Sequence, residues 1–212
     1  MQKMLDICYV SGTEIDIVCN AKKSTLFVVG KAYDVTEDLK THYDTISWSD
    51  RQYLGVHFKS GRTLLVDNET VIRKFYAAAN AIYSHVKFAS EVTVLFVMEM
   101  FCLPLLSNAS EALNYSKQQL SHLNVCWNRA YREAFSMNEW MSVKGLQALC
   151  GRRDFMHIYD ERKLVFWSRI SSMKIVVMRT CYGILSRSKE FNLLTYKYDV
   201  ITGQCTVCDI RY

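Results

Sequence analysis

Proline is almost missing from this chain of 212 residues: there is one, Pro104, and there are only eight glycines. So few breakers exclude a turn-rich all-β architecture and favour long helices. Two adjacent aspartates occur nowhere. No phosphate-cradling glycine loop, Gly-x-Ser-x-Gly or His-Glu-x-x-His is present either, so the usual signatures of nucleotide loops, serine hydrolases and zinc proteases are lacking. Long apolar runs are lacking too. Residues 94–98 are the most apolar stretch, but Glu91, Glu99 and Pro104 interrupt the region, so it reads as a buried core helix and not a membrane span. Residues 1–6 lead into charge and Gly12 instead of an apolar core, so no signal peptide is expected.

What is present is globular in composition, with 50% hydrophobic and 22% charged residues. Net charge is +5, placed unevenly. Residues 1–106 hold 11 Lys and Arg against 12 Asp and Glu; residues 107–212 hold 15 against 9. A basic second half suits contact with phosphates, and equally an ordinary solvated surface. Most of the eight cysteines sit in apolar runs, as in Phe101-Cys102-Leu103 and Val125-Cys126-Trp127. They read as small buried hydrophobes in a reducing compartment, hence an intracellular chain, nuclear or cytoplasmic. Cys205-x-x-Cys208 is half a zinc site without a second pair, so no metal site is expected.

Along the chain, apolar spacing predicts a first helix over residues 1–9 stopped near Gly12, with Met1, Met4, Leu5, Cys8 and Tyr9 on one face. A strand at residues 15–19 and a returning strand at 25–29 follow. From Asn68 the period becomes helical. Val71, Ile72, Phe75, Tyr76, Ala79, Ile82, Tyr83 and Val86 form one stripe, with Asp67 or Asn68 as cap. Further helices are expected at 91–102, after the capping boxes Ser116-x-x-Gln119 and Ser136-x-x-Glu139, and from Asp154 to about Leu185. Alternation returns after Phe191 and predicts a terminal hairpin. The fold class is therefore α+β and mostly helical: a small antiparallel β region over 1–66, helices over 67–190, and a hairpin or tail over 191–212. So thin a sheet region is expected to leave an edge exposed.

The β region centres on Trp48-Ser-Asp-Arg-Gln-Tyr-Leu-Gly-Val-His-Phe-Lys59. Tyr53, Gly55 and His57 alternate with Leu54, Val56 and Phe58, a half-buried strand in which Gly55 marks a bulge or a close approach of another backbone. Gly61 then supplies a turn, and Thr63 to Val66 the return strand. Upstream lies Asn20-Ala-Lys-Lys23-Ser24. Downstream lie Leu103-Pro-Leu-Leu106, Glu111-Ala-Leu113 and Trp127-Asn-Arg-Ala-Tyr-Arg132. In this order, over residues 1–170, the chain resembles the later part of the reverse transcriptase of non-LTR, LINE-like retrotransposons. Asn20-x-x-Lys23-Ser24 resembles the palm motif after the catalytic aspartates. Tyr53-Leu54-Gly55 resembles the primer-grip hairpin, and the helices resemble the thumb and connection.

The resemblance implies a fragment of an RNA-directed DNA polymerase. It gives Lys23 the place of a general acid near the leaving pyrophosphate, and Tyr53, Leu54 and Gly55 a contact with the primer backbone. The family's aromatic-x-Asp-Asp turn is lacking here, and the resemblance begins about where that turn ends. The magnesium ions of the complete family enzyme therefore have no carboxylate pair, no cofactor is expected, and the isolated chain is expected not to polymerise. Arg129 and Arg132, three apart on a helix, and Arg152-Arg153 are the phosphate-binding candidates; the same arginines also suit ordinary surface ion pairs. The expected partner is nucleic acid, an RNA template with a DNA primer; no membrane or small-molecule partner is expected. Two other readings stand beside this one: a non-catalytic helical interaction or scaffold protein, and an unselected remnant of a mobile element.

Overall fold

The computed structural model describes residues 2–17, 20, 22, 24–26, 29–31, 39–40, 44–48, 51–53, 55–59, 61–86 and 88–199. The fold is α+β and mostly helical, and it divides into two compact units, residues 1–70 and 71–212.

The first unit begins with α1 (Gln2–Thr13). Gly12 is its one buried residue. The Gly12 carbonyl accepts from the amides of Ile15 (3.1 Å) and Ile17 (2.8 Å). A Cβ on Gly12 would lie 2.7 Å from the Ile17 carbonyl oxygen, so this closed turn needs glycine. It also replaces the start of the strand expected at 15–19. The Ile17 amide is engaged with Gly12, Asp16 is left-handed (φ 56°), and Ile15 and Ile17 are exposed. Met4 and Cys8, expected on the packed face of α1, are exposed, while Leu5 and Tyr9 are half-buried.

Two three-stranded sheets follow among the described residues. In the first, β1 (Thr25–Leu26) and β2 (Leu39–Lys40) flank β3 (Thr45–Trp48). β2 runs antiparallel to β3, but β1 runs parallel to it, so β1 is not the return arm of a hairpin. The edge strand β2 is met by a side chain: Gln2 Nε2 donates to the Lys40 carbonyl (2.7 Å) and Gln2 Oε1 accepts from the Lys40 amide (2.9 Å). One amide thus imitates a strand neighbour, which blunts the expected open edge at that point. In the second sheet, β4 (Arg51–Tyr53), β5 (Val56–Lys59) and β6 (Leu65–Asp67) form an antiparallel meander. Tyr53 pairs with Val56, so Gly55 lies in a two-residue turn and not in a strand bulge. Its φ of 84° is the left-handed geometry such a turn demands. The return strand starts at Leu65 instead of Thr63.

The second unit is helical. Asp67 Oδ1 accepts the Glu69 amide and opens α2 (Glu69–His85), whose Ile72, Phe75 and Ala79 are buried. α3 (Glu91–Phe101) passes into α4 (Leu103–Leu106) with Pro104 in its first turn, where a missing amide is harmless. α5 (Lys117–Ala134) has the expected capping box of Ser116 and Gln119. Leu123, Cys126, Trp127, Ala130 and Tyr131 from α5 join α2, α3 and α4 in one core, with Phe75 and Tyr131 edge-on to Trp127.

Ser136 does not cap a helix. It ends α5 in the left-handed region (φ 48°), with the Met137 amide closing back on the Arg132 carbonyl at 2.7 Å. The next helix, α6 (Lys144–Leu149), starts eight residues later. Asp154 caps α7 (Phe155–Ser172) as expected, but that helix stops at Met173, whose backbone is extended. A separate α8 (Val176–Leu185) follows, and Gly183 lies inside it. The β-branched run Ile175-Val176-Val177 favours a fresh start over an unbroken helix.

The residues expected as a strand from Phe191 form α9 (Lys189–Lys197), capped by Ser188. Burial explains the helix. Phe191 and Leu194 pack on Leu164 and Trp167 of α7. Lys163, 1% exposed, reaches Glu190 Oε1 (2.7 Å) and Asn114 Oδ1 (2.9 Å), and Tyr159 also donates to Glu190 (3.2 Å). Asp160, also buried, takes Lys197 Nζ (2.7 Å) and the Tyr198 hydroxyl (2.9 Å). Residues 200–212 of the expected hairpin, including Cys205 and Cys208, lie outside the described residues.

Burial lowers the pKa of Lys163, with Glu190 and Asp160 offsetting part of the drop. An unpaired ammonium at this depth is costly, whereas Glu190, with 35% of its side chain exposed, can turn to water. Glu190→Ala is therefore expected to destabilise by about 3 kcal/mol, and Lys163→Met by under about 1.5 kcal/mol. Urea midpoints of the two variants check this; equal losses would show that the buried charge does not set the cost.

Tyrosines set the alkaline limit. Burial pushes Tyr76 and Tyr115 up to about 12 and raises Tyr83 and Tyr159 further, with nearby Glu133 and Glu190 adding to the last two. Each holds its proton more tightly folded than unfolded, so this stability is complete below the ordinary tyrosine pKa of 10.0 and is lost as pH rises towards 12. Lys163, with its lowered pKa, works in the opposite direction, but against these four tyrosines and against Tyr198, Cys102 and Cys126, which burial also raises. Tyrosinate absorbance and loss of helical circular dichroism are expected to rise together above pH about 10; ionisation of all tyrosines with the helices intact would contradict this.

Candidate nucleic-acid interface

In the first unit, within the Asn20-x-x-Lys23-Ser24 motif, the Ser24 hydroxyl donates to the Asn20 carbonyl at 2.9 Å. Lys23 itself lies outside the described residues; its neighbour Lys22 is exposed. At the β4–β5 turn, Tyr53 is 64% exposed and Gly55 has the left-handed φ already given, while Leu54 lies outside the described residues. A tight turn with an exposed phenol offers backbone donors and a flat ring to a sugar-phosphate chain. The sheet behind it is tied by Lys59 to Asp67 at 3.2 Å. Burial pushes the Asp67 carboxyl up, but the Glu69 amide and Lys59 outweigh that and hold its pKa below the ordinary value.

In the second unit, the four chosen arginines divide into two kinds. Arg129 is exposed, with its guanidinium 5.5 Å from the centre of the Tyr76 ring. Arg132 donates its Nε to the Met141 carbonyl at 2.9 Å. Both contacts orient a guanidinium without neutralising it, and a guanidinium has five N–H donors. Arg152 pairs with Glu99 (3.2 Å) and Arg153 with Glu161. Burial raises the Glu99 pKa and Arg152 offsets part of it. Neither Arg129 nor Arg132 has a carboxylate partner among the described residues, whereas Arg152 and Arg153 already hold carboxylates.

Sequence reasoning passed over Lys163 and Asp160. Their signal was present: residues 155, 159, 163, 167 and 170 recur at helical spacing, which puts Lys163 on the apolar stripe of α7. It also passed over Tyr76 as the seat of Arg129. Among the described residues, no group of three or more His, Cys, Asp or Glu could hold a metal ion, and no helix is long and apolar enough to cross a membrane. No family model, curated protein or solved structure matches the chain.

The division of the arginines has a measurable consequence. Arg152→Ala is expected to lower stability by no more than about 1 kcal/mol, because the Arg152 side chain is 42% exposed, and to raise the Glu99 pKa further. Arg129→Ala is expected to leave stability nearly unchanged. Urea denaturation of both variants checks the contrast; the opposite ranking would assign the structural role to Arg129.

Proposed function

We propose that the chain is the part of a non-LTR reverse transcriptase that follows the catalytic turn, and that it binds primer–template nucleic acid without polymerising alone. The observation that carries this reading is the order of three features. The hydrogen bond from Ser24 to Asn20 comes first, then a glycine hairpin with exposed Tyr53, then a unit that is helical over its described residues and bears Arg129 and Arg132. The family resemblance gives the same order to the end of the palm, the primer grip and the thumb. Magnesium-dependent phosphoryl transfer needs carboxylates to hold the ions, and the sequence has no adjacent Asp-Asp to provide them.

A second reading, a helical interaction or scaffold protein, is favoured by one observation. Val92, Phe96 and Met100 are exposed at four-residue intervals on α3, beside exposed Phe101. A helix face of that kind suits a protein partner.

The test is fluorescence anisotropy with a labelled RNA–DNA primer–template over a salt series, followed by primer extension with magnesium and nucleotides. Binding is expected to weaken steeply with salt. Arg129→Ala/Arg132→Ala is expected to flatten the slope by about 2 and to weaken binding about tenfold at low salt. No extension is expected. Salt-independent affinity, or a double variant that binds like the parent, favours the scaffold reading; extension by the purified chain sinks the claim that it cannot polymerise.

A further inference from the structure

Helix α8 is covered on one side only. None of its residues is fully buried; Met178, Tyr182 and Leu185, spaced four and three apart, are half-buried, and Tyr182 and Leu185 pack on the Leu164, Trp167, Phe191 and Leu194 cluster. At about 100° per residue, the opposite arc carries Val176, Thr180, Ile184, Val177 and Cys181. All five are exposed and none is charged, with Val176 at 76% and Ile184 at 69%. Ile175, just before the helix, is exposed as well.

The sequence around this arc carries charge of one sign. Between Glu161 and Glu190 the sequence contains no acidic residue. Arg169, Lys174, Arg179, Arg187 and Lys189 in that stretch are exposed, and none forms an ion pair among the described residues. The contrast with their neighbours is sharp: Arg162, Lys163 and Lys197 each face a carboxylate. Lys174 precedes α8, Arg179 lies on its flank, and Arg187 and Lys189 follow its end. The helix therefore has an aliphatic face bordered by unpaired cations.

We propose that α8 is a peripheral binding site for an anionic lipid bilayer, with its aliphatic arc in the headgroup boundary and Lys174, Arg179 and Arg187 on the lipid phosphates. Helices that lie in the membrane plane have this make-up and need no spanning length. Each cation near an anionic bilayer strengthens binding by roughly fivefold, so the cations and the arc reinforce each other. Other occupants fit less well. A second copy of the chain would bring two cationic rims together. A nucleic acid would satisfy the cations but press the aliphatic arc against phosphates. A single partner helix against about three turns of α8 makes a marginal pair.

The experiment is vesicle flotation of the full chain, comparing phosphatidylcholine alone with phosphatidylcholine containing about a third phosphatidylserine, in low and high salt. Binding is expected only to the anionic vesicles and is expected to weaken with salt. Val177→Asp/Ile184→Asp and, separately, Lys174→Glu/Arg179→Glu are each expected to lose at least about tenfold. All four positions are exposed, and circular dichroism checks folding; the charge variant decides the matter if the aspartate variant fails to fold. Absence of vesicle binding, equal binding to neutral vesicles, or full binding by the folded variants overturns the proposal. So does light scattering that shows Val177→Asp/Ile184→Asp turning a dimer into a monomer, which assigns the arc to self-association. Loss of primer–template affinity by Lys174→Glu/Arg179→Glu with vesicle binding intact assigns the cations to nucleic acid and overturns it too.

Discussion

A lysine with almost no access to water organises the end of the helical unit. Lys163 enters the protein on α7, where the helical period would place an apolar residue, and its charge has to be met there. Glu190 and Asn114 meet it, one from the start of α9 and one from the segment before α5. The rings of Tyr159 and Trp167, 5.1 and 5.8 Å from Nζ, present their faces to the ammonium. One turn earlier, Asp160 is met by Lys197 and Tyr198. These contacts determine more than stability. The apolar seat of Leu164 and Trp167 would accept Phe191 and Leu194 with α9 running either way. The charges would not: a parallel α9 sets Asp160 against Glu190 and Lys163 against Lys197, like against like. Two pairs of opposite sense, each with one buried member, Lys163 and Asp160, thus match the antiparallel direction and the register of α9.

The same network shows where sequence reading succeeds and where it stops. Helices α2 and α5 were legible from a strong stripe, α3 from its apolar run and the start of α7 from its cap; Asp67, Ser90, Ser116 and Asp154 all accept an amide at the helix start. α9 was not legible, because Phe191 to Tyr198 alternates in hydropathy and its helical face shows only beside Lys163 and Asp160 on a different helix. Tertiary contact overrode local pattern there. Ser136 shows a limit of another kind. The Ser-x-x-Glu spacing is a true capping signature, but a cap needs extended backbone, and the end of α5 had already placed Ser136 in the left-handed region. Gly55 was recognised as special, while the choice between bulge and turn depended on the pairing of Tyr53 with Val56, which spacing alone does not reveal.

The basic second half of the chain is likewise not one surface property. Sequence reasoning selected arginines by adjacency and helical spacing, which cannot say whether a carboxylate lies opposite. Arg152 and Arg153, adjacent in sequence, are the two that turn out to hold Glu99 and Glu161. Arg129 and Arg132 face a ring and a carbonyl instead. The five exposed cations from Arg169 to Lys189 drew no attention as scattered single residues. They gain meaning only with the break at Met173, which turns α8 into a separate helix with an uncovered face. Had α7 run on to Leu185 without that break, Val176, Val177 and Ile184 would continue the exposed side of one long helix, with no element boundary to gather the cations around them. The extended backbone at Met173 and Ile175 is therefore what converts dispersed charge and stray aliphatic residues into a bounded surface, and any account of what this half of the chain binds has to begin from that break.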